Sequence, residues 1–488
     1  MLRRAPQRRS RSGRYDERMD TTRKTNSASA PRPGLVLLAA SLGVLIAQID
    51  TSVVSLAVKR IGADLGSTVS GMQWMMDAYN VVYAAFLLTG GALGDLYGRR
   101  RIFIVGVVLF ALGSIACAVA PNTAVLLAGR ALSGLGAALE LPMTLVLLAV
   151  AYPDSSARQH AMGIWAACNG LAFIVGPTVG GLLVDTVGWR SIFYLILPLC
   201  AAALVLARTS VPESASPEGR KLDLPGQAAA IAALGGLSFV AIEGAHLGWT
   251  SVPVCTAAVV VAIAAVAFAL QERGNAHGLV PFEVFRSRPF SAALAIAGLM
   301  TFGMYALLFL MPLYFQTLLG DSPLMAGVRL LPLSVVFVAV SRWNGRIVEG
   351  IGIRAAMAAG MAAMGAGELM LAFVSHGASP WLVSAALAIV GVGLGLNTAP
   401  VNSVAVANVA QDRGGTASGL VNTARIVGAM LGIAILGAVF AHFAGQSGAA
   451  EAFLEGLRPA LGAGGVAELS GAVVALAFIS RDSGHAPA

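Results

Sequence analysis

Residues 91–101 read GALGDLYGRRR and stand between an apolar run at 72–93 and another at 102–120. A related stretch, GRIVEGIGIR, begins at Gly345. Gly91, Asp95, Gly98 and Arg100 match Gly345, Glu349, Gly352 and Arg354 at one constant offset of 254 residues. A weaker echo links Arg158 and Gly163 to Arg413 and Gly419, at offsets of 255 and 256. The same charged, glycine-bearing turn at the same place between apolar runs implies two parallel halves of one design.

The apolar runs outside this turn fill both halves. A helix needs about 20 apolar residues to cross the hydrocarbon, and such runs lie at 34–58, 72–93, 102–120, 123–150, 161–184 and 191–208. Two more follow at 227–246 and 252–270, then a second six at 290–312, 324–342, 355–374, 381–407, 415–443 and 463–480. The expected fold is an all-α polytopic membrane protein: two six-helix halves, 34–208 and 290–480, with two extra central helices in 227–289. A linker at 209–226 joins the first half to that inserted pair, and tails at 1–33 and 481–488 flank the whole. Composition agrees, since 57% of the 488 residues are apolar and 11% charged, against about a quarter charged in a soluble domain. Lipid tolerates an apolar exterior because each helix satisfies its own backbone.

The net charge of +8 sits mostly at one end. Residues 1–33 hold ten Lys or Arg against Asp16, Glu17 and Asp20, which is +7 of the +8. An Arg-rich arm directly before an apolar span is read as a topology signal touching anionic lipid, not as a nucleic-acid arm or a cleaved secretory signal. With that arm inside the cell, 25 of the 32 Lys and Arg fall in inner segments. Only Lys59, Arg60, Arg190 and Arg458 are assigned to outer loops, so both termini are expected to be cytoplasmic.

Cys117, Cys168, Cys200 and Cys255 lie in apolar runs without CxxC spacing, so neither a disulfide nor a metal site is indicated. His160, His246, His277, His376, His442 and His485 are scattered, which argues against an enzyme with a convergent acid–base or metal set. No phosphate-binding GxxxxGK[ST] stretch occurs. No cofactor is expected.

Four stretches carry a resemblance. IDTSVVSLAVKRI from Ile49 is similar to the pattern LDxTxVNVALPxI, with Asp50 retained, Ser55 in place of Asn and Lys59 in place of Pro. GALGDLYGRRR resembles GxLaDrxGrr, and LLAGRALSGLGAALELP from Leu126 resembles a fourth-span motif built around an Arg. GLAFIVGPTVGG from Gly170 resembles the fifth-span motif of antiporters, ending in Gly176, Pro177, Gly180 and Gly181. Together these resemble the fourteen-span drug:proton antiporter family of the major facilitator superfamily, over nearly the whole chain after the basic tail. The resemblance implies a monomer in the bacterial cytoplasmic membrane that exports a small lipophilic drug or antibiotic against inward-moving protons.

Particular residues then acquire roles. A carboxylate inside a membrane costs several kcal/mol unless it is paired, protonated or wetted. Asp50 lies about 22 Å from the inner end of its helix at 1.5 Å per residue, and Arg130 lies about two turns into a helix that starts outside. The two can meet, either as a proton-coupling pair or as a static one that fixes packing. Glu140, about 15 Å further along the Arg130 helix, either takes a proton or attracts a cation, or else reaches the inner interface. Asp77, Glu243 and Glu368 are expected near the interfaces, solvated.

Arg425, with Asn397, Asn402 and Asn422, forms a possible substrate cavity, or bonds helix carbonyls as a structural Arg. In the loop, Gly91, Asp95, Gly98, Arg99 and Arg100 are expected to latch the outward-facing state. Gly176, Pro177, Gly180 and Gly181 are expected to form a hinge. The competing functions are transport of a metabolite and a non-transporting membrane sensor.

Overall fold

The structure, a computed structural model, describes residues 32–215, 222–274, 280, 282–375, 379–409, 414–444 and 450–480. The basic tail through residue 31, the tail at 481–488, the loop charges Arg220, Lys221 and Arg413, and His277, His376 and His485 lie outside the described residues. Among the described residues there is no strand.

Fourteen long helices run in order among the described residues. In the first half they are α1 (Pro33–Leu65), α2 (Val69–Tyr97), α3 (Arg99–Ala118), α4 (Thr123–Ala151), α5 (Ser156–Thr186) and α6 (Ser191–Ser210). Then come α7 (Leu224–Leu247) and α8 (Val252–Gly274). The second half has α9 (Arg288–Thr317), α10 (Pro323–Ile351), α11 (Ile353–Ala372), α12 (Pro380–Ala407), α13 (Gly414–Phe443) and α14 (Ala450–Phe478). Thirteen are long and apolar enough to cross a membrane. The other, α2, is 29 residues long but carries Gln73, Asp77, Asn80, Thr89 and Asp95. Its polar side chains turn inward, as Gln73, Asp77, Asn80 and Thr89 are all buried.

The last helix departs from expectation: α14 starts at Ala450, well before residue 463, and Arg458, assigned above to an outer loop, lies inside it. Pro459 is also inside. Lys59 and Arg60 likewise belong to the final turns of α1. Short polar residues start several helices: the side chains of Thr68, Asn122 and Asp154 accept the N–H of Gly71, Val125 and Ala157.

The repeated turn has a backbone cause. Gly98 separates α2 from α3 with φ +106°, and Gly352 separates α10 from α11 with φ +83°. Each N–H closes the preceding helix, onto Gly94 O and Val348 O. Only glycine adopts this conformation without strain, so two helices can reverse through one residue.

Packing repeats as the sequence does. In the first half α4 packs on α2 and α3, and α6 packs on α1 and α3; eight helices on, α12 packs on α10 and α11, and α14 on α9 and α11. Facing glycines allow the closest approaches, Gly106 on Gly136 and Gly113 on Gly129 between α3 and α4, then Gly360 on Gly393 and Gly365 on Gly465 in the second half. Even the irregularities correspond, since α5 contains a π-turn at Gly176–Gly180 and α13 one at Gly432–Leu436.

The halves meet where α1 touches α9, α2 touches α13 and α5 touches α10. The inserted α7 docks on α2 and α13, and α8 packs on α7. Polar bonds anchor α7: Trp74 Nε1 donates to Glu243 at 2.9 Å, Gln227 Nε2 donates to Ala85 O at 2.8 Å, and Thr89 bonds Gln227 Oε1. Glu243, half-buried and four residues from the end of α7, thus has a partner in Trp74 as well as the near-terminal position expected.

Candidate transport site

A cavity of about 1430 Å³ lies between the halves, larger than the 300–1000 Å³ usual for a small-molecule pocket. Its deep walls include Tyr79, Tyr83, Phe173, Met304, Tyr305 and Arg425, and its mouth includes Asp95, Arg158 and Gly414. These last three mark the end of α2 and the starts of α5 and α13. The cavity therefore opens at the end of the bundle that carries the GALGDLYGRRR turn.

The opposite end is shut by bonds that cross between the halves. Lys59 Nζ donates to Gln316 O at 2.6 Å, and Gln316 Nε2 donates back to Leu56 O at 2.9 Å. Gln73 Nε2 reaches Ile433 O at 3.0 Å and Ala434 O at 3.3 Å. Asp185 accepts the Leu324 N–H at 2.9 Å. Small residues let the backbones close in, since a Cβ on Gly327 would collide with Pro177 O and one on Gly181 with Pro323 O. Lys59, read from the sequence as an outer-loop charge, thus belongs to the closure itself.

Arg130 and Asp50 do meet. Arg130 Nη1 donates to Asp50 Oδ2 at 2.5 Å, and both side chains are all but fully buried. Arg130 Nε also donates to Met75 O at 2.9 Å, and its guanidinium lies 4.7 Å from the centre of the Tyr79 ring. One Arg therefore ties α4 to α1 and α2 through charge-assisted, carbonyl and cation–π contacts. Neither Asp50 nor Arg130 lines the cavity, but Tyr79 touches both Arg130 and the cavity. Sequence reading missed Tyr79. The available signal was the Tyr79, Asn80, Tyr83 cluster on the least apolar helix, and all three line the cavity.

Glu140 does not reach the inner interface. It is fully buried, with no hydrogen-bond partner on either oxygen among the described residues, and stands behind Leu141 and Pro142, which do line the cavity. Asp77 and Glu368, expected near the interfaces, are also fully buried. Sequence length gives depth along a helix but not which face is covered.

Glu368 of α11 has company that the sequence concealed. Glu468 of α14 is equally buried, and no oxygen of either has a hydrogen-bond partner among the described residues. Glu468 Oε1 and Glu368 Oε1 lie 2.5 Å and 2.8 Å from the point where a Cβ on Gly303 of α9 would stand. The two carboxyls therefore converge on the space that Gly303 leaves open.

Of the four residues proposed for a substrate cavity, Asn422 and Arg425 line it. Asn397 does not: it is fully buried and its Nδ2 donates to Gly393 O at 3.0 Å. Nor does Asn402, whose Nδ2 donates to Thr398 O at 3.2 Å. Both amides turn back onto the carbonyl four residues earlier, a local bond a helix always offers. Among the described residues no group of three or more His, Cys, Asp and Glu could hold a metal ion.

The chain is similar to known proteins in sequence and in fold. The profile of the Major Facilitator Superfamily matches residues 40–433. The chain belongs to the Major Facilitator Superfamily. Within it, the chain is 37% identical to the multidrug resistance protein Stp of Mycobacterium tuberculosis, over 83% of this chain and 76% of that one. It is 32% identical to the methylenomycin A resistance protein of Streptomyces coelicolor, over 92% and 93% of the two chains. It is also 32% identical to the tetracenomycin C resistance and export protein of Streptomyces glaucescens, over 88% and 80%. A D-xylose-proton symporter superposes with a TM-score of 0.65 at 16% identity, covering 93% of this chain and 99% of that one, a likeness of fold.

The turn that resembles the superfamily loop is held by the first half and the start of the linker after it. Asp95 bonds Arg99 at 2.9 Å, Arg100 Nη1 donates to Val211 O at 3.3 Å, and Glu213 lies 3.7 Å from both Arg100 and Arg101. Gly91 and Asp95 border the cavity mouth. Gly176, Pro177 and Gly180 form the π-turn of α5, and Gly181 follows it.

Proposed function

We propose that this superfamily member exports a small lipophilic drug or antibiotic in exchange for protons, by alternating access to the cavity between its halves. One observation carries the reading: the cavity is sealed at one end by bonds between the halves and open at the other. The names of the resistance and export relatives support a drug-like cargo. With the basic tail and both termini in the cytoplasm, the open mouth faces the cytoplasm, where an exporter loads.

In the outward-facing state, Lys59, Gln316 and Gln73 release their partners and the mouth closes. Asp95 and Gly414 border the same mouth, so closure brings the Asp95 carboxylate towards the N-terminus of α13, a favourable helix-end pairing that latches the loop. The π-turn at Gly176–Gly180 supports a hinge in α5, since π-turns cluster at functional sites. Asp50 is the proton carrier: a proton on it removes the anion that Arg130 holds, and Arg130 swings on Tyr79, which reports to the cavity. Glu140 is a second candidate for holding the proton.

The test is transport into inverted vesicles of a panel of cationic, neutral and anionic drugs, with and without a protonophore. Gradient-dependent uptake by wild type, and its loss in Asp50→Asn, is expected. Uptake that persists without a gradient sinks the antiport reading and leaves downhill transport. Binding without counterflow would mark a sensor.

A further inference from the structure

Resting on the export reading, we infer that the cargo is a lipophilic organic acid, whose anionic oxygen (carboxylate, phenolate or enolate) is held by Arg425. The charges that border the cavity are few. Asp95 sits at the mouth, bonded to Arg99, and Arg158 sits at the mouth as well. Deep in the cavity the one charged lining residue among those described is Arg425.

Arg425 is under-used by the protein. A guanidinium has five N–H donors, yet the hydrogen bond it makes among the described residues is from Nη2 to Thr398 O at 2.7 Å, and Nε is buried without a partner. No carboxylate lies within ion-pair distance of it among the described residues. A cation at this depth costs several kcal/mol unless an anion or water meets it, and the open face towards the cavity is where an anion fits. Asn422, one turn before it, and Tyr305 border the same space and offer further donors.

The buried carboxylates, which would favour a cationic drug, are walled off. Asp50 is consumed by Arg130, and Glu140, Asp77, Glu368 and Glu468 do not line the cavity. A lipophilic cation would meet a positive guanidinium and no free acid. Met300, Met304, Phe173 and Phe337 supply an apolar wall for the rest of the molecule.

Fluorescein and rhodamine 6G share a xanthene frame and carry opposite charge, so they separate charge from shape. The purified protein in detergent is titrated with each, read by dye anisotropy, and inverted vesicles are then assayed for gradient-driven uptake. Fluorescein is expected to bind the wild type at least tenfold more tightly than rhodamine 6G. Arg425→Gln is expected to weaken fluorescein about ten- to a hundredfold, and Arg425→Lys, which keeps the charge without the fork, to fall between. The inference is overturned if rhodamine 6G is preferred, if neither dye binds, or if a folded Arg425→Gln protein binds fluorescein like the wild type. The dye preference of the wild type decides the matter even where a variant misfolds. Fluorescein bound but never driven by a proton gradient would instead overturn the antiport reading and leave the cargo class standing.

Discussion

Arg130 on α4 donates to Asp50 on α1 at 2.5 Å, and the same guanidinium reaches the Met75 carbonyl on α2. A pair buried in this way is costly to break from one side, because the survivor is left as an uncompensated charge. Arg130→Ala is expected to destabilise by about 3–5 kcal/mol, seen as a lower thermal midpoint in detergent. The double variant Asp50→Leu with Arg130→Met should recover most of that stability and transport nothing. Recovery of gradient-driven transport would show that the pair is only structural.

The two reversing glycines differ in their surroundings. Gly98 and Gly352 both have positive φ, but a Cβ on Gly98 would lie 2.7 Å from the Glu213 carboxylate, while one on Gly352 meets nothing within 4 Å. Gly352→Ala is expected to cost about 1–3 kcal/mol of backbone strain, and Gly98→Ala more. Thermal midpoints of the two variants check the order.

Closure of the far end rests on few bonds. Gln316→Ala removes the Gln316 Nε2 to Leu56 O bond, worth about 1 kcal/mol net. That should raise the opening equilibrium several-fold. A cysteine at Ile433, in a variant lacking the four native cysteines, should react correspondingly faster with an impermeant maleimide. An unchanged rate would place the closure elsewhere.

Glu368 and Glu468 converge beside Gly303 without a hydrogen-bond partner among the described residues. A negative charge there would be uncompensated, so neutral amides fit the site at least as well as acids. Glu468→Gln and Glu368→Gln are each expected to match or exceed wild-type thermal stability. Glu468→Lys beside an intact Glu368 tests the spacing: a stable variant would mean that the two side chains pair across Gly303.

The sequence by itself determined the fold, because lipid demands long apolar helices and leaves turns, caps and charges to mark their ends. The repeat at Gly91 and Gly345 was legible for the same reason, since one helix reversal needs one glycine wherever it occurs. Asp50 and Arg130 could be matched from depth alone, because rise per residue fixes height in the membrane. What height does not fix is azimuth. Asp77 and Glu368 were placed near interfaces by their position along the helix, and Glu140 was left open between a proton or cation site and the inner interface, yet each faces inward and is buried. Asn397 and Asn402 turn onto their own helix, Arg425 faces the cavity, and Lys59 closes its far end. Only tertiary packing sets which face of each helix meets a neighbour, so only the structure decided which polar residues line the path and which are sealed behind it.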